Sequence, residues 1–222
     1  MTRFLELFSS LAGAAMARQM AFADFLGERS WAVDLTAGTV TFGEDLTYPI
    51  QLIGTESYVN DTWLWAWSNP SALPPPLLET ALQLREYGQQ QQIPELTNST
   101  YALDVADGHR LTMVASGLVR KTVYYRGPYE NGALYFLILG LPADVFAPVP
   151  VERACTVISQ VIDAFELDHR RLVETFLHEQ GFALSTVGDG LHAVRDDSSS
   201  LDLVFDTAGR ITEINASLPG TC

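Results

Sequence analysis

The sequence predicts an α+β fold in which antiparallel β-meanders pack against helices. Apolar side chains recur at helical spacing over residues 3–26. From Trp31 onward, short runs of alternating polarity are separated by glycine-containing turns, which is typical of antiparallel hairpins. After residue 141, two further helical patterns precede a second series of short strands. We therefore expect an N-terminal helix, a first meander, and a C-terminal helix pair followed by a small meander.

The first part of the chain changes from helical to strand periodicity. The helix over residues 3–26 is expected to end at Gly27, because glycine favours the left-handed conformation that follows many helices. Four strands of one antiparallel meander are predicted at residues 31–35, 39–42, 48–55 and 58–67. Glycines such as Gly54 are expected to curve this sheet. A proline-rich segment, residues 69–76, then breaks the meander and starts a helix that stops at Gly88.

The middle of the chain combines an ambiguous segment with a clear hairpin. Residues 107–119 fit either a helix or a strand, and the absence of alternation favours the helix. Residues 121–126 and 133–139 flank the turn residues 127–132, and tyrosines cluster around that turn. This pattern predicts a β-hairpin.

The C-terminal part is predicted to hold two helices and four strands. The helices cover residues 151–165 and 169–180, with Asp168 as N-cap of the second and Gly181 just after its end. The strands are predicted at residues 182–187, 191–195, 201–205 and 210–216. They form a module of their own or extend the first sheet. We expect two domains, residues 1–140 and 141–222, with one continuous domain as the alternative.

Composition restricts the expected partners and location. The 222 residues carry a net charge of −14, a field that repels nucleic acid and anionic lipid. No apolar run is long enough to span a bilayer, so we expect neither a membrane nor a nucleic acid as partner. Cys155 and Cys222 give no disulfide framework, which favours reduced thiols and a cytoplasmic location. Glu6 interrupts an apolar run that otherwise imitates a signal peptide.

Sequence motifs for metals, cofactors and nucleophilic catalysis are missing. The four histidines are His109, His169, His178 and His192. They do not supply three or four ligands at tight spacing, so no metal is predicted. There is no Gly-x-Ser-x-Gly motif, and residues 188–190 indicate a hairpin turn rather than a phosphate-binding loop. No cofactor is expected, and no residue is assigned to catalysis.

The stretch TWLWAWSNP, residues 62–70, holds three of the four tryptophans of the chain. Along a continuous strand, Trp63, Trp65 and Trp67 project to the same side because side chains alternate between faces. The residues between them are also apolar, which indicates a central strand covered on both sides. A buried indole N–H needs a partner, so tryptophan is typical of half-wet pockets as well as of cores.

Two interpretations of this aromatic row remain open. The first is a core beneath the N-terminal helix, and the second is a pocket or groove walled by indoles. The candidate ligand-binding residues for the second are Trp63, Trp65, Trp67, Asn69, Tyr58, Arg126 and Tyr129. Asn69 continues the strand parity, and Arg126 with Tyr129 is available for polar or cation–π contacts if the two hairpins approach each other.

Several longer segments together resemble an uncharacterised bacterial family of cytosolic proteins. They are FADFLGERSWAVDL, VTFGEDLTYPIQLIGTES, TWLWAWSNP, ALQLREYG, IPEL and YYRGPYENG. The resemblance covers roughly residues 1–140. The family is a domain of unknown function, so it implies a bacterial, intracellular protein and brings no catalytic residues.

Two functions of different classes follow from these observations. We expect a non-catalytic binding or interaction protein with an aromatic-lined pocket or groove, whose partner is a small molecule or a protein. The alternative is a small enzyme that uses a carboxylate in the same cavity, such as Asp61 or Glu56 beside Arg126, for acid–base chemistry. A buried carboxylate in the aromatic region is the observation that favours the enzyme.

Overall fold

A computed structural model of the chain describes residues 1–218 and shows an α+β fold with helices packed against antiparallel sheets. Two compact units divide the chain. The central unit comprises Arg18–Phe146, and the terminal unit combines Met1–Ala17 with Ala147–Cys222. Helix α1 (Arg3–Leu26) contributes residues to both. The sequence interpretation places the boundary at residue 140 and assigns the first seventeen residues to the other part.

Seven strands form the sheet of the central unit. They are β1 (Trp31–Asp34), β2 (Thr39–Phe42), β3 (Leu46–Ser57), β4 (Thr62–Trp65), β5 (Thr100–Ala102), β6 (Val123–Tyr129) and β7 (Gly132–Ile138). The first four neighbour each other in chain order, which confirms the predicted four-stranded meander. Strand β5, which was not predicted, pairs with β4, and β7 pairs with both β3 and β6. All of these pairs are antiparallel.

Strand β3 is the centre of this sheet because three strands pair with it. Its first residues pair with β2, its last residues pair with β4, and β7 runs along Ile50–Ser57. The register with β7 shifts between Leu52 and Gly54, so the strand carries an extra residue that bends it. A side chain at Gly54 would overlap the Trp63 ring, so glycine allows β4 to approach closely.

Three helices lie between β4 and β6 along the chain. They are α2 (Glu79–Gln91), which follows a 3₁₀ turn at Pro75–Leu78, the short α3 (Pro94–Thr97), and α4 (Gly108–Leu118). The predicted helix therefore continues three residues past Gly88. Helix α4 confirms the helical interpretation of the ambiguous segment. The Asp107 carboxylate caps it by accepting a hydrogen bond from the backbone N–H of Arg110 at 2.9 Å.

An apolar core fills the space between one face of this sheet and the helices of the central unit. Its buried members include Phe22, Val40, Phe42, Ile50, Leu52, Phe136 and Ile138. Phe22 comes from the second half of α1 and meets the Phe42 ring edge-on, with 5.8 Å between centroids. Each fully buried side chain of this size stabilises the fold by roughly 1.5–3 kcal/mol, so Phe22 helps to hold the second half of α1 against the sheet.

The terminal unit contains a second, separate sheet. Its elements are α5 (Val151–Ala164), α6 (His169–Glu179), β8 (Ala183–Val187), β9 (Gly190–Val194), β10 (Ser200–Phe205) and β11 (Ile211–Ser217). The four strands neighbour each other in chain order, so the tail forms its own meander and does not extend the first sheet. Helix α1 lies directly on α6, because a Cβ at Gly13 would come 2.7 Å from the Phe176 Cβ.

Two findings bear on location and thiol chemistry. Within residues 1–218, no helix combines the length and the hydrophobicity needed to cross a membrane. Cys155 is a half-buried free thiol whose pKa is raised by burial. Cys222 lies outside the described residues.

Candidate functional site

Trp63 and Trp65 lie on β4 and are completely buried. Their solvent exposure is 0%, and their rings meet edge to face with centroids 5.6 Å apart. Trp63 also meets the Tyr135 ring of β7 at 5.5 Å. These two indoles therefore pack into the interior of the central unit. Their role in ligand binding remains a prediction.

The indole N–H groups of Trp63 and Trp65 differ in their hydrogen bonding. Trp65 donates its N–H to the backbone carbonyl of Glu95 in α3, at 3.1 Å. The cover over Trp65 therefore includes α3. The Trp63 N–H is buried and has no hydrogen-bond partner among residues 1–218. Its nearest aromatic neighbours are the Trp65 and Tyr135 rings.

Trp67 does not share the face of the other two tryptophans, so the predicted continuous row is wrong. Strand β4 ends at Trp65, and Ala66–Ser68 form a 3₁₀ turn closed by the Asn69 N–H on the Ala66 carbonyl at 3.2 Å. Trp67 is half-buried beneath the Arg85 guanidinium, which lies 4.3 Å from its ring centroid. The Asn69 side chain accepts a hydrogen bond from the Ser71 N–H, which stabilises a turn.

The other candidate residues gather where three connections of the central unit meet. We call this region the loop end, and it consists of residues 58–61 between β3 and β4, 103–107 between β5 and α4, and 126–131, which form the end of β6 and its turn to β7. Backbone hydrogen bonds of 2.9 Å tie the connections together, from the Tyr58 N–H to the Asn131 carbonyl and from the Leu103 N–H to the Asp61 carbonyl. The chain therefore brings distant segments together on a hydrogen-bonded base.

Tyr58, Arg126 and Tyr129 lie together at this loop end. The Arg126 guanidinium donates a hydrogen bond to the Tyr58 hydroxyl and lies 5.9 Å from the centre of that ring. Tyr129 donates its hydroxyl to the backbone carbonyl of Glu56 at 3.3 Å. Tyr58 is 42% exposed and Tyr129 is 48% exposed, so both rings remain accessible.

A buried carboxylate lies beneath these tyrosines. Glu56 on β3 is 6% exposed, and its two oxygens accept separate hydrogen bonds. The first donor is the Gly108 N–H, at 2.8 Å, and the second is the Tyr135 hydroxyl, at 3.0 Å. A Cβ at residue 108 would lie 2.6 Å from the Tyr135 ring and 2.9 Å from Glu56 Oε1. Only glycine therefore lets the start of α4 reach the carboxylate, whose charge also suits a helix N-terminus.

His109 and two tyrosines complete the polar group around Glu56. His109 Nδ1 lies 3.0 Å from the Tyr124 hydroxyl, and its ring is perpendicular to Tyr135 at 5.5 Å. Burial lowers the pKa of His109. Burial raises the pKa of Tyr135, with a further contribution from the Glu56 charge, and burial with the Asp107 charge raises that of Tyr124. The imidazole and both phenols are therefore neutral at neutral pH.

Sequence reasoning missed most of this polar group. Tyr135, His109, Tyr124 and Gly108 were not site candidates, and Glu56 entered only through the acid–base alternative. The sequence signal for Glu56 is its spacing of two from Gly54, because positions two apart on a strand lie on the same face of the sheet. The signal for Tyr135 is weaker, since it lies 79 residues from Glu56 along the chain.

The residues present do not favour a metal. In the described part of the chain, no group of three or more histidine, cysteine, aspartate or glutamate residues could hold a metal ion. The polar group at the loop end combines one carboxylate with phenols, an imidazole and a guanidinium. That combination can bind, orient and exchange protons, but it lacks the clustered anionic or imidazole ligands that metals require.

Comparison with known proteins identifies one family. Residues 5–141 match a family of unknown function, DUF6882, which agrees with the resemblance over roughly the first 140 residues. Neither a curated protein nor a solved structure matches the chain. The match covers all seven strands of the central unit, and therefore includes the loop end.

Proposed function

This chain belongs to the DUF6882 family, and we propose that it is a non-catalytic binding protein whose ligand contacts the loop end. The observation that carries the proposal is the pair of half-exposed tyrosines, Tyr58 and Tyr129, held over a buried polar base. Tyrosine combines a large apolar ring with a polar tip at low entropic cost, which suits it to recognition. A ligand pocket walled by Trp63 and Trp65 has less support, because neither indole is exposed to solvent.

The rigidity of this base supports binding over chemistry. Tyr58 is fixed by Arg126, Tyr129 by the Glu56 carbonyl, and the Glu56 carboxylate by Gly108 and Tyr135. Side chains held in this way lose little freedom when a partner arrives, which lowers the cost of association. Val59 and Val105 add exposed apolar surface at the same end, at 71% and 54% exposure.

The partner we propose is a small molecule or a protein segment that carries positive charge. Three carboxylates, Asp61, Asp104 and Glu130, belong to the loop end, and none forms a salt bridge within residues 1–218. Together with the overall charge of −14, they favour cationic groups, which also bind over aromatic rings. The same charge disfavours nucleic acid. We further propose a bacterial, cytoplasmic protein on the strength of the family resemblance and the free Cys155 thiol.

The proposal is tested by placing a photo-crosslinking amino acid at two matched positions. Val59 lies at the loop end, and Leu82 is an exposed apolar residue on α2 with 47% exposure. We expect a discrete cross-linked partner from position 59 only, which is then purified and titrated against the Tyr58→Ala and Tyr129→Ala variants. A small-molecule ligand is sought in parallel with a thermal-shift library. Equal cross-linking from both positions, with no compound that shifts the wild type, would overturn the proposal.

An acid–base enzyme is the second candidate, and the buried Glu56 carboxylate is the observation that favours it. Arg126, Tyr135 and His109 lie around it, as a catalytic carboxylate in an aromatic setting requires. Both carboxylate oxygens are already hydrogen-bonded within the protein, which makes binding the preferred function. A library compound that is converted by the wild type but only bound by Glu56→Gln would establish the enzyme instead.

A further inference from the structure

A second candidate site lies in the terminal unit and shares no residue with the loop end. An open cavity of about 750 Å³ is lined by Met1 and Leu5, the end of α5, the link from α5 to α6, the start of α6, and the turn between β10 and β11. This volume falls in the range of roughly 300–1,000 Å³ that is usual for small-molecule pockets. The cavity is thus large enough for an organic ligand.

Four apolar side chains line one part of the cavity, and we call them its floor. Its lining side chains include Leu5, Ile162, Phe165 and Leu167, each only partly buried by the rest of the protein. The Phe165 ring is held edge-on by Phe8 of α1, with centroids 5.2 Å apart. Partly buried apolar side chains around a concave surface favour a ligand that brings apolar surface of its own.

The rim of the cavity contributes hydrogen-bond donors and positive charge. His169 Nδ1 accepts the Ile211 backbone N–H at 3.1 Å. Because an amide can only donate, the neutral ring carries its proton on Nε2, which has no hydrogen-bond partner among residues 1–218. Burial, followed by the charge of Arg210, lowers the pKa of His169 and keeps the ring neutral at neutral pH. Nε2–H is therefore a free donor.

Two guanidinium groups lie on the same rim. Arg210 is exposed and forms no ion pair within the described residues, although it lies close enough to affect His169. Arg170 is fixed by a hydrogen bond to the Asp189 carbonyl at 2.8 Å and by its position 4.3 Å over the Phe205 ring. Arg210 is thus available to a ligand, whereas the Arg170 guanidinium is already engaged by the protein.

The carboxylates near the cavity are mostly engaged by the backbone. Asp168 caps α6 through the Arg171 N–H at 3.0 Å, so the helix terminus is already satisfied and contributes no site. Asp206 accepts the N–H groups of Ala208 and Arg210, both at 2.8 Å. Among residues 1–218, the lining carboxylate of Glu166 forms no hydrogen bond or ion pair, and its negative charge opposes an anionic ligand. A matched cationic probe therefore tests the sign of the charge directly.

We propose that this cavity binds a small organic carboxylate with an apolar tail, the tail on the floor of Leu5, Ile162, Phe165 and Leu167 and the carboxylate at Arg210 and His169. Guanidinium groups favour carboxylates because planar pairs of N–H donors match the two oxygens. The apolar floor excludes a bare inorganic anion as the preferred ligand. The site makes the protein a carrier or sensor of such an acid, independently of the loop end.

The test uses the full chain and four probes: octanoate, octylamine, octanol and acetate. We expect octanoate to bind saturably in calorimetry and to shift the backbone NMR signals of Leu167, His169 and Gly209. Octylamine lacks the anion and acetate lacks the tail, so both should bind at least about tenfold more weakly if each part of the site contributes roughly 1.4 kcal/mol. Octanol has the same tail as octanoate but no charge, so its affinity reports the contribution of the tail alone.

Matched variants locate the charge on the protein. Arg210→Gln should weaken octanoate binding at least about tenfold, equivalent to roughly 1.4 kcal/mol. Arg171→Gln, an exposed arginine of α6 outside the cavity, should leave binding unchanged. The inference is overturned if octanoate fails to saturate at millimolar concentration, if octylamine binds as well as octanoate, or if both variants have the same effect.

Discussion

Trp63 and Trp65 are 0% exposed, whereas Tyr58 and Tyr129 are 42% and 48% exposed, although all four flank the same part of the central sheet. Glu56 connects the two regions, since it pairs with Trp63 across β3 and β4 and accepts the Tyr135 hydroxyl. The tryptophan pair is dry and held by ring contacts. At the loop end, the polar groups around Glu56 are buried, and the rings of Tyr58 and Tyr129 are exposed.

The difference between these regions lies in how each ring uses its polar atom. Trp65 gives its N–H to a backbone carbonyl, and the Trp63 N–H has no partner, so neither presents a group to a ligand. The tyrosine hydroxyls instead hold Arg126 and the Glu56 backbone while their ring faces stay accessible. In this chain the densest run of aromatic residues thus includes two fully buried rings, and the exposed rings that we propose for binding are single tyrosines at strand ends.

The largest contrast should appear in stability. Trp65→Ala removes a fully buried indole and should lower the free energy of unfolding by about 3–5 kcal/mol. Tyr58→Ala removes a half-exposed ring and its contact with Arg126, and should cost at most about 1 kcal/mol. Urea unfolding followed by tryptophan fluorescence reports on the central unit, because all four tryptophans lie there. Equal losses would contradict the division into a sealed pair and an open loop end.

The next contrast concerns Glu56, which joins the two regions. Glu56→Gln keeps the size of the side chain but leaves only one acceptor oxygen for the two donors Gly108 and Tyr135, and should cost about 1–3 kcal/mol. Glu130→Gln at the exposed β6–β7 turn is the matched control and should change stability by less than about 0.5 kcal/mol.

A double-mutant cycle of Glu56→Gln with Tyr135→Phe measures the coupling of this pair. We expect the two losses to be non-additive by roughly 0.5 kcal/mol or more, because the residues share one buried hydrogen bond. Strict additivity would show that the Tyr135 hydroxyl does not depend on the Glu56 carboxylate.

The elements of the fold could be predicted where their signals are local. The apolar stripe before Gly27, the turns of the first meander and the Asp168 cap each act within a few residues, and the structure contains α1, β1–β4 and α6 at those places. The 3₁₀ turn that removes Trp67 from β4 has no comparable signal, because Ala66–Ser68 lacks glycine and proline. Alternation alone extends the strand through it.

The candidate site was less predictable because its contacts are long-range. Arg126 was expected near the tryptophans, but it reaches Tyr58 instead, and the cation over Trp67 is Arg85. Among many acidic residues, the spacing of two from Gly54 places Glu56 on one face of β3 but does not mark that face as buried. Its burial follows from the pairing of β3 with β4 and β7 and from the arrival of Gly108, which are properties of the assembled sheet.

Arg85 offers a smaller test of the tryptophan region. Arg85→Gln removes the guanidinium that lies 4.3 Å from the Trp67 ring centroid. A partly exposed cation–π contact contributes about 0.5–1 kcal/mol, so the variant should lose that amount of stability and change the emission of Trp67. Arg126→Gln should leave this emission unchanged, since Arg126 lies over Tyr58. An equal change in both variants would show that the two cations act on one aromatic cluster.

The smallest expected effect is the change of stability with pH that depends on His109. The groups around its ring are Asp107, Glu56, Arg126, Tyr124 and Tyr135. Burial lowers its pKa below the ordinary value of 6.5, so the unfolded chain takes up the proton first as pH falls. The stability that depends on the neutral ring is therefore fully present above that value and is lost as pH drops through it. His109→Asn removes this titration, so its free energy of unfolding should fall less than that of the wild type between about pH 7.5 and about pH 5.5. Parallel pH profiles from urea unfolding would show that the His109 ring gains a proton as readily in the folded protein as in the unfolded chain. The side chains around Glu56 and His109 would then be more accessible to water than their burial indicates.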